Sequence, residues 1–160
     1  MRLAEYTDYT LRVLMSCAVQ SDRLVTIAEL AEQHGVSKNH LMKIVNDLAR
    51  QGVLQTTRGR GGGLCLARPA SEIRIGDVVR GAETDFRLAE CFDPGSNTCK
   101  LAPSCRLKGV LRTALDAYFE ALDGVTLADI AAPLPVRRGT RLDLPIRAAV
   151  TQRRPSLKRG

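Results

Sequence analysis

The sequence predicts a mainly α-helical fold with a small β-hairpin: a winged helix-turn-helix followed by a long dimerisation helix. Three observations predict it. Two short helical patterns meet at His34-Gly35-Val36. An arginine- and glycine-rich tip, Arg58-Gly59-Arg60-Gly61-Gly62-Gly63, separates two short strand-like runs. An amphipathic pattern then runs over residues 105–122. The implied organisation is a winged helix-turn-helix over 1–82, a cysteine loop over 83–106, a dimerisation helix over 105–132 and a disordered basic tail over 133–160.

Composition narrows the function classes. A chain of 160 residues at 44% hydrophobic can bury one core. No apolar run approaches a membrane span, and Glu5 and Asp8 interrupt any signal-peptide pattern, so a cytoplasmic setting without membrane contact is expected. Reducing conditions there favour metal ligation or redox chemistry over disulfides for the five cysteines. The net charge of +7 sits in the tail, which carries eight arginines and lysines against Asp143 alone. Residues 1–132 are neutral, with sixteen basic and sixteen acidic groups. Local clustering therefore matters more than bulk charge.

The elements follow in order. Residues 7–20 carry Leu11, Leu14, Met15 and Ala18 at helical spacing, with Thr7 as a cap and Asp8 in the first turn, where its charge complements the helix dipole. Cys17 falls beside this stripe as a buried small hydrophobe. Thr26 caps a helix bearing Ile27, Leu30 and Ala31, and Gly35 permits a sharp turn. Ser37 caps a second helix with Leu41, Ile44, Val45 and Leu48 inward. Its exposed start offers Ser37, Lys38, Asn39, His40 and Lys43, the positions that enter the major groove in this motif. A solvated helical hairpin is the plainer alternative.

The hairpin that follows favours the groove reading. Val53–Thr57 and Leu64–Ala67 are strand-like, Cys65 packs inside the hairpin, and Arg58 and Arg60 on the glycine tip suit phosphate or a narrow minor groove. A nucleotide-cradling loop is excluded by context: no Gly-Lys-Ser/Thr and no following helix. Residues 71–82 read as a short helix. The acidic strip 72–93 is expected to face away from DNA. Leu107, Val110, Leu111, Leu115, Tyr118, Phe119 and Leu122 make the long stripe, Gly124 stops it, and Thr126 caps a last turn. A small domain has limited core for so long a helix, so association with a second copy is expected.

Cys91, Cys99 and Cys105 lie in a polar loop with Asp93, Pro94, Gly95, Ser96, Asn97 and Pro103. So polar a loop buries little apolar surface and needs something to tie it down. Three thiolates on one metal centre would do so, and Cys105 in a first helical turn would favour the thiolate.

Together these pieces resemble a family of bacterial winged-helix regulators that sense through iron–sulfur clusters, with NsrR, IscR and RirA branches. The matching residues are MRLAEYTDYTLRVLM at the start, VSKNHLMKIVNDLARQGVLQTTRGRGGG, IGDVVR, and ECF with the two later cysteines. The resemblance covers residues 1–132 and is closest to the nitric-oxide-sensing NsrR branch. It implies a cluster-binding loop at 83–106 holding an iron–sulfur cluster, 4Fe-4S or 2Fe-2S, on Cys91, Cys99 and Cys105. It further implies Asp8 of the other subunit as fourth ligand, a homodimer on double-stranded promoter DNA, repression, and release by nitric oxide. The IscR branch uses a histidine after the third cysteine, but Arg106, Leu107 and Lys108 stand here. The seven-residue gap between Cys91 and Cys99 is similar to RirA, which leaves an iron- or cluster-supply signal as an alternative, and a structural zinc as another.

Overall fold

The computed structural model of the protein describes residues 2–131; the basic tail expected at 133–160 lies outside the described residues. The elements are α1 (Glu5–Val19), α2 (Ile27–His34), α3 (Lys38–Arg50), β1 (Leu54–Thr57), β2 (Gly63–Leu66), α4 (Ile75–Ala82), α5 (Arg106–Asp123) and α6 (Leu127–Ala131). Single 3-10 turns occur at Ala70–Glu72, Glu90–Phe92 and Ala102–Ser104. The fold is mainly α with one two-stranded antiparallel sheet, as the sequence predicts.

Local chemistry sets the helix-turn-helix. Thr26 and Glu29 form a reciprocal capping box on α2: the Glu29 N–H donates to Thr26 Oγ1 at 3.2 Å, and the Thr26 N–H donates to the Glu29 carboxylate at 2.7 Å. Gly35 closes α2 in the left-handed region at φ 64°, which a side chain would strain. Ser37 then caps α3, accepting from the His40 N–H at 3.3 Å.

One core joins these pieces. Leu41, Ile44, Val45 and Leu48 of α3 are buried against Val13, Leu14 and Cys17 of α1, Leu30 of α2, and Leu54 and Leu64 of the hairpin. Burying each aliphatic side chain contributes about 1.5–3 kcal/mol before entropy is counted. The sheet is pinned to this core by Val25, whose backbone exchanges two hydrogen bonds with Leu64 at 2.9 and 2.8 Å.

Three details depart from the sequence reading. Helix α1 begins at Glu5 with Ala4 as an uncapped start, so Thr7 is not a cap; it is fully buried and its hydroxyl donates to Glu83 at 2.8 Å. The fully buried apolar residues of α1 are Val13 and Leu14, while Leu11, Met15 and Ala18 are partly covered. The segment expected to be helical from Ser71 splits instead into a 3-10 turn and α4, because Ile73 is extended. The extended residue accepts from the Leu127 N–H at 2.8 Å, and Ile75 N–H donates to Val125 at 3.0 Å. Through these bonds the segment leading into α6 returns to the winged-helix core, where Leu127 is fully buried.

Helix α5 differs from the rest. None of its residues is fully buried, although Phe119 and Leu122 lean on the core. Leu107 and Val110 are 62% and 64% exposed, so the first half of its apolar stripe is uncovered within one chain.

Candidate nucleic-acid interface and cysteine loop

The exposed side of α3 is built by the same periodicity that buries its other side. With Leu41, Ile44, Val45 and Leu48 inward, Ser37, Lys38, Asn39, Met42, Lys43 and Asn46 remain exposed. No acidic residue occupies the first turn, so the positive end of the helix dipole is left unopposed. His40 stands apart from the expected exposed set. It is half-buried, its ring 5.6 Å edge-on from Tyr9 and 6.4 Å from Tyr6, and its buried Nε2 has no hydrogen-bond partner among the described residues. The reason is its place between the two stripes, where α1 covers it.

The hairpin pairs Leu54 with Leu66 and Thr57 with Gly63. Gly59 and Gly61 turn the tip at φ 99° and 78°, conformations that favour glycine. Arg58 and Arg60 are exposed there. Among the described residues, neither arginine nor Lys38 nor Lys43 pairs with a carboxylate. Four cations thus remain available to an external anion.

Helix α1 is tied to α3 by a contact that sequence reasoning missed. The Tyr6 hydroxyl donates to Asp47 at 2.6 Å, across 41 residues of chain. Burial, then this hydrogen bond, pushes the Tyr6 phenol up to about 12. Asp47 is correspondingly held below the usual carboxylate range, first by Tyr6 and then by Arg50. Lys43 lies 5.7 Å over the Tyr6 ring.

Asp8 is on α1, half-buried, with Arg12 one turn on at 2.7 Å. The start of α1 is also fastened from the residue that follows α4: Glu83 accepts from the Ala4 N–H at 2.9 Å and from the Thr7 hydroxyl at 2.8 Å. No sequence signal marks Glu83 beyond its place in the acidic strip.

The cysteine loop is braced by its own carboxylates. Asp93 accepts from the Ser96 hydroxyl at 2.8 Å and the Gly95 N–H at 2.9 Å, and is bridged by Arg87. These contacts, Ser96 foremost, hold its pKa down. Glu90 accepts from the Thr98 hydroxyl at 2.7 Å and from the Thr98 N–H, which lowers its pKa too. Arg112 of α5 lies 5.3 Å over Phe92, and Phe86 meets Phe119 at 4.8 Å. The sequence assigns the ordering of this loop to metal-bound thiolates; these polar ties add to it from the loop's own side chains. Of the acidic strip, Asp85, Glu90 and Asp93 are engaged within the loop, Asp77 faces Arg80, and Glu83 reaches α1.

Cys91, Cys99 and Cys105 are all half-buried and outside any disulfide. Cys105 is the N-cap residue of α5, one position before the first turn where it was expected, and no side chain caps that helix. Three free thiols on one loop fit a thiophilic iron or zinc centre by donor chemistry. They are not drawn together within one chain: among the described residues, no three Cys, His, Asp or Glu side chains form a group able to hold a metal ion. Cys17 is separate, 2% exposed, and burial pushes its thiol up to about 12. His34 is likewise engaged elsewhere, its Nε2 3.0 Å from Ser16 Oγ.

Among the described residues no helix is long and apolar enough to cross a membrane. Comparison with known proteins adds the following. The family profile described as "Rrf2: Iron-dependent Transcriptional regulator" matches residues 3–133. The "HTH-type transcriptional regulator NsrR" of Oceanobacillus iheyensis is 48% identical over 131 residues, covering 81% of this chain and 89% of that one. "Protein aau3" of Rhizobium meliloti is 47% identical, covering 84% and 88%. Among solved structures, the oxidized form of Staphylococcus aureus CymR superposes with a TM-score of 0.68 at 25% identity, covering 84% of this chain and 99% of that one.

Proposed function

The chain belongs to the Rrf2 family of transcriptional regulators, not enzymes, and from that premise we propose that it is an iron–sulfur repressor that binds promoter DNA as a homodimer and is released by nitric oxide. The observation that carries this reading is the trio of half-buried, disulfide-free cysteines on one braced loop at the foot of α5. Cys91, Cys99 and Cys105 would hold the cluster, 4Fe-4S in preference to 2Fe-2S, with Asp8 of a second copy completing the set. Such a cluster would supply iron reactive towards nitric oxide, and Asp8 would be the one hard oxygen donor beside three soft thiolates.

The rest is the work of the chain's own residues. The uncovered face of α5 at Leu107 and Val110 supports association with a second copy. Lys38, Asn39 and Lys43 meet the major groove, with Ser37 at the helix start, and Arg58 and Arg60 meet the flanking backbone. Asp8 sits two residues from Tyr6, which bonds Asp47 of α3. A tie on Asp8 therefore fixes the helix that positions the DNA reader. Releasing it changes the spacing of two readers that must match half-sites about one helical turn apart. The cytoplasm is the fitting compartment, since it keeps the thiols reduced.

Anaerobically purified protein should show visible absorption with bound iron and sulfide, and promoter affinity should fall on titration with nitric oxide. Unchanged affinity would sink the proposal, and a colourless protein with one zinc per chain would replace it with a structural-zinc regulator. The family's "iron-dependent" description favours a second reading, in which iron or cluster supply is the signal. In that case iron depletion, and not nitric oxide, releases the DNA.

A further inference from the structure

Met42 is 42% exposed on the outer side of α3. Between residues 20 and 100 it is the single large apolar side chain so exposed among the described residues; Leu101, Leu107 and Val110 belong to the cysteine loop and α5, and Val19 to the end of α1. Its neighbours on the helix surface are all polar. Asn39, Met42, Lys43 and Asn46 recur at i, i+3, i+4 and i+7, which places them on one stripe, opposite the buried stripe of Leu41, Ile44, Val45 and Leu48. An exposed methionine gains nothing from water, and Met42 stands outside the apolar core cluster. The stripe around it has the composition of a base-reading surface: two amides, a lysine, and a single apolar side chain between them.

The chemistry of the major groove gives each of these groups a counterpart. An asparagine amide matches the N7 and N6 edge of adenine, and the apolar feature of that groove is the C5 methyl of thymine. Flanking charge fits the same occupant, because Lys38, Lys43, Arg58 and Arg60 are exposed beside the stripe without carboxylate partners among the described residues. We propose that Met42 is a specificity-determining residue that packs on a thymine methyl group in each half-site, with Asn39 and Asn46 set to read adenine edges one turn to either side.

This rests on the DNA-binding reading above, and the test separates the two. The full-length protein is used to select duplexes from a random library. Each thymine of the selected half-site is then replaced by deoxyuridine, which removes the methyl and nothing else. At one position the substitution should weaken binding by the wild type roughly fourfold per half-site, the worth of one buried methyl group. Met42→Ala should lose affinity for the thymine duplex and show no further loss with deoxyuridine there, while Met42→Leu should restore the discrimination. Wild-type binding insensitive to every deoxyuridine, or a Met42→Ala protein as sensitive as wild type, would overturn the proposal. Failure to select any common half-site would overturn the DNA-binding reading and this inference with it.

Discussion

Removing the Tyr6 hydroxyl isolates the contact between α1 and α3. In Tyr6→Phe the ring and its packing stay, and the 2.6 Å bond to Asp47 goes. Hydrogen bonds to charged groups contribute about 1.5–3 kcal/mol. This one lies on the wall of an open cleft lined also by Lys43, Arg50 and Gln51, so water reaches it and screens it. The expected loss is therefore about 1–2 kcal/mol, or a melting temperature lower by about 2–8 °C for a chain of this size. The pH dependence gives a second, independent signature. A phenol pushed up to about 12 favours the folded state while protonated. Its contribution is full below about pH 10 and is lost as pH rises towards its folded value. The stability gap between wild type and Tyr6→Phe should thus be constant from about pH 7 to 9 and shrink above about pH 10. Urea denaturation followed by circular dichroism at pH 7.5, 9 and 10.5 measures it. Equal stability at pH 7.5, or a gap that widens above pH 10, would refute the coupling assigned to this bond.

Other outcomes are expected. Glu83→Ala removes the acceptor for both Ala4 and the buried Thr7, leaving the Thr7 hydroxyl unpaired at a cost of about 1–3 kcal/mol. Hydrogen exchange should accelerate at the first turn of α1, and unchanged protection there would remove Glu83 as its fastening. Cys91→Ala, Cys99→Ala and Cys105→Ala should each abolish iron binding, whereas Cys17→Ala and Cys65→Ala should keep it; a colourless Cys65→Ala protein would contradict the loop assignment. His34 is held below its ordinary pKa by burial first and by the Arg12 charge second. Its contribution is present above about pH 6.5 and is lost as pH falls through its folded value. His34→Gln should flatten stability between about pH 6.5 and 5, and an unaltered acid slope would argue against it.

The sequence by itself determined the helix-turn-helix, the glycine turn at Gly35, the hairpin with its arginine tip, and the three cysteines of one loop. Each is written within a few residues: a cap and its partner three positions on, a stripe at helical period, a glycine where φ must be positive. The family resemblance read from those segments agrees with the Rrf2 match over residues 3–133. Tertiary structure alone decided which face each half-covered side chain takes. His40 sits at the edge of the exposed stripe of α3, and only the packing of Tyr6 and Tyr9 turns it inward. Met42 and Asn46 were readable in principle, since they continue the spacing that starts at Asn39, but their exposure depends on what α1 covers. Thr7 looked like a cap because hydroxyls at helix starts usually are; its real partner, Glu83, is 76 residues away. Tyr6 and Asp47, and Ile73 with Leu127, are likewise partners no local window contains. Periodicity and capping are short-range chemistry and are legible along the chain, whereas a bond between distant side chains exists only once the core has brought their helices together.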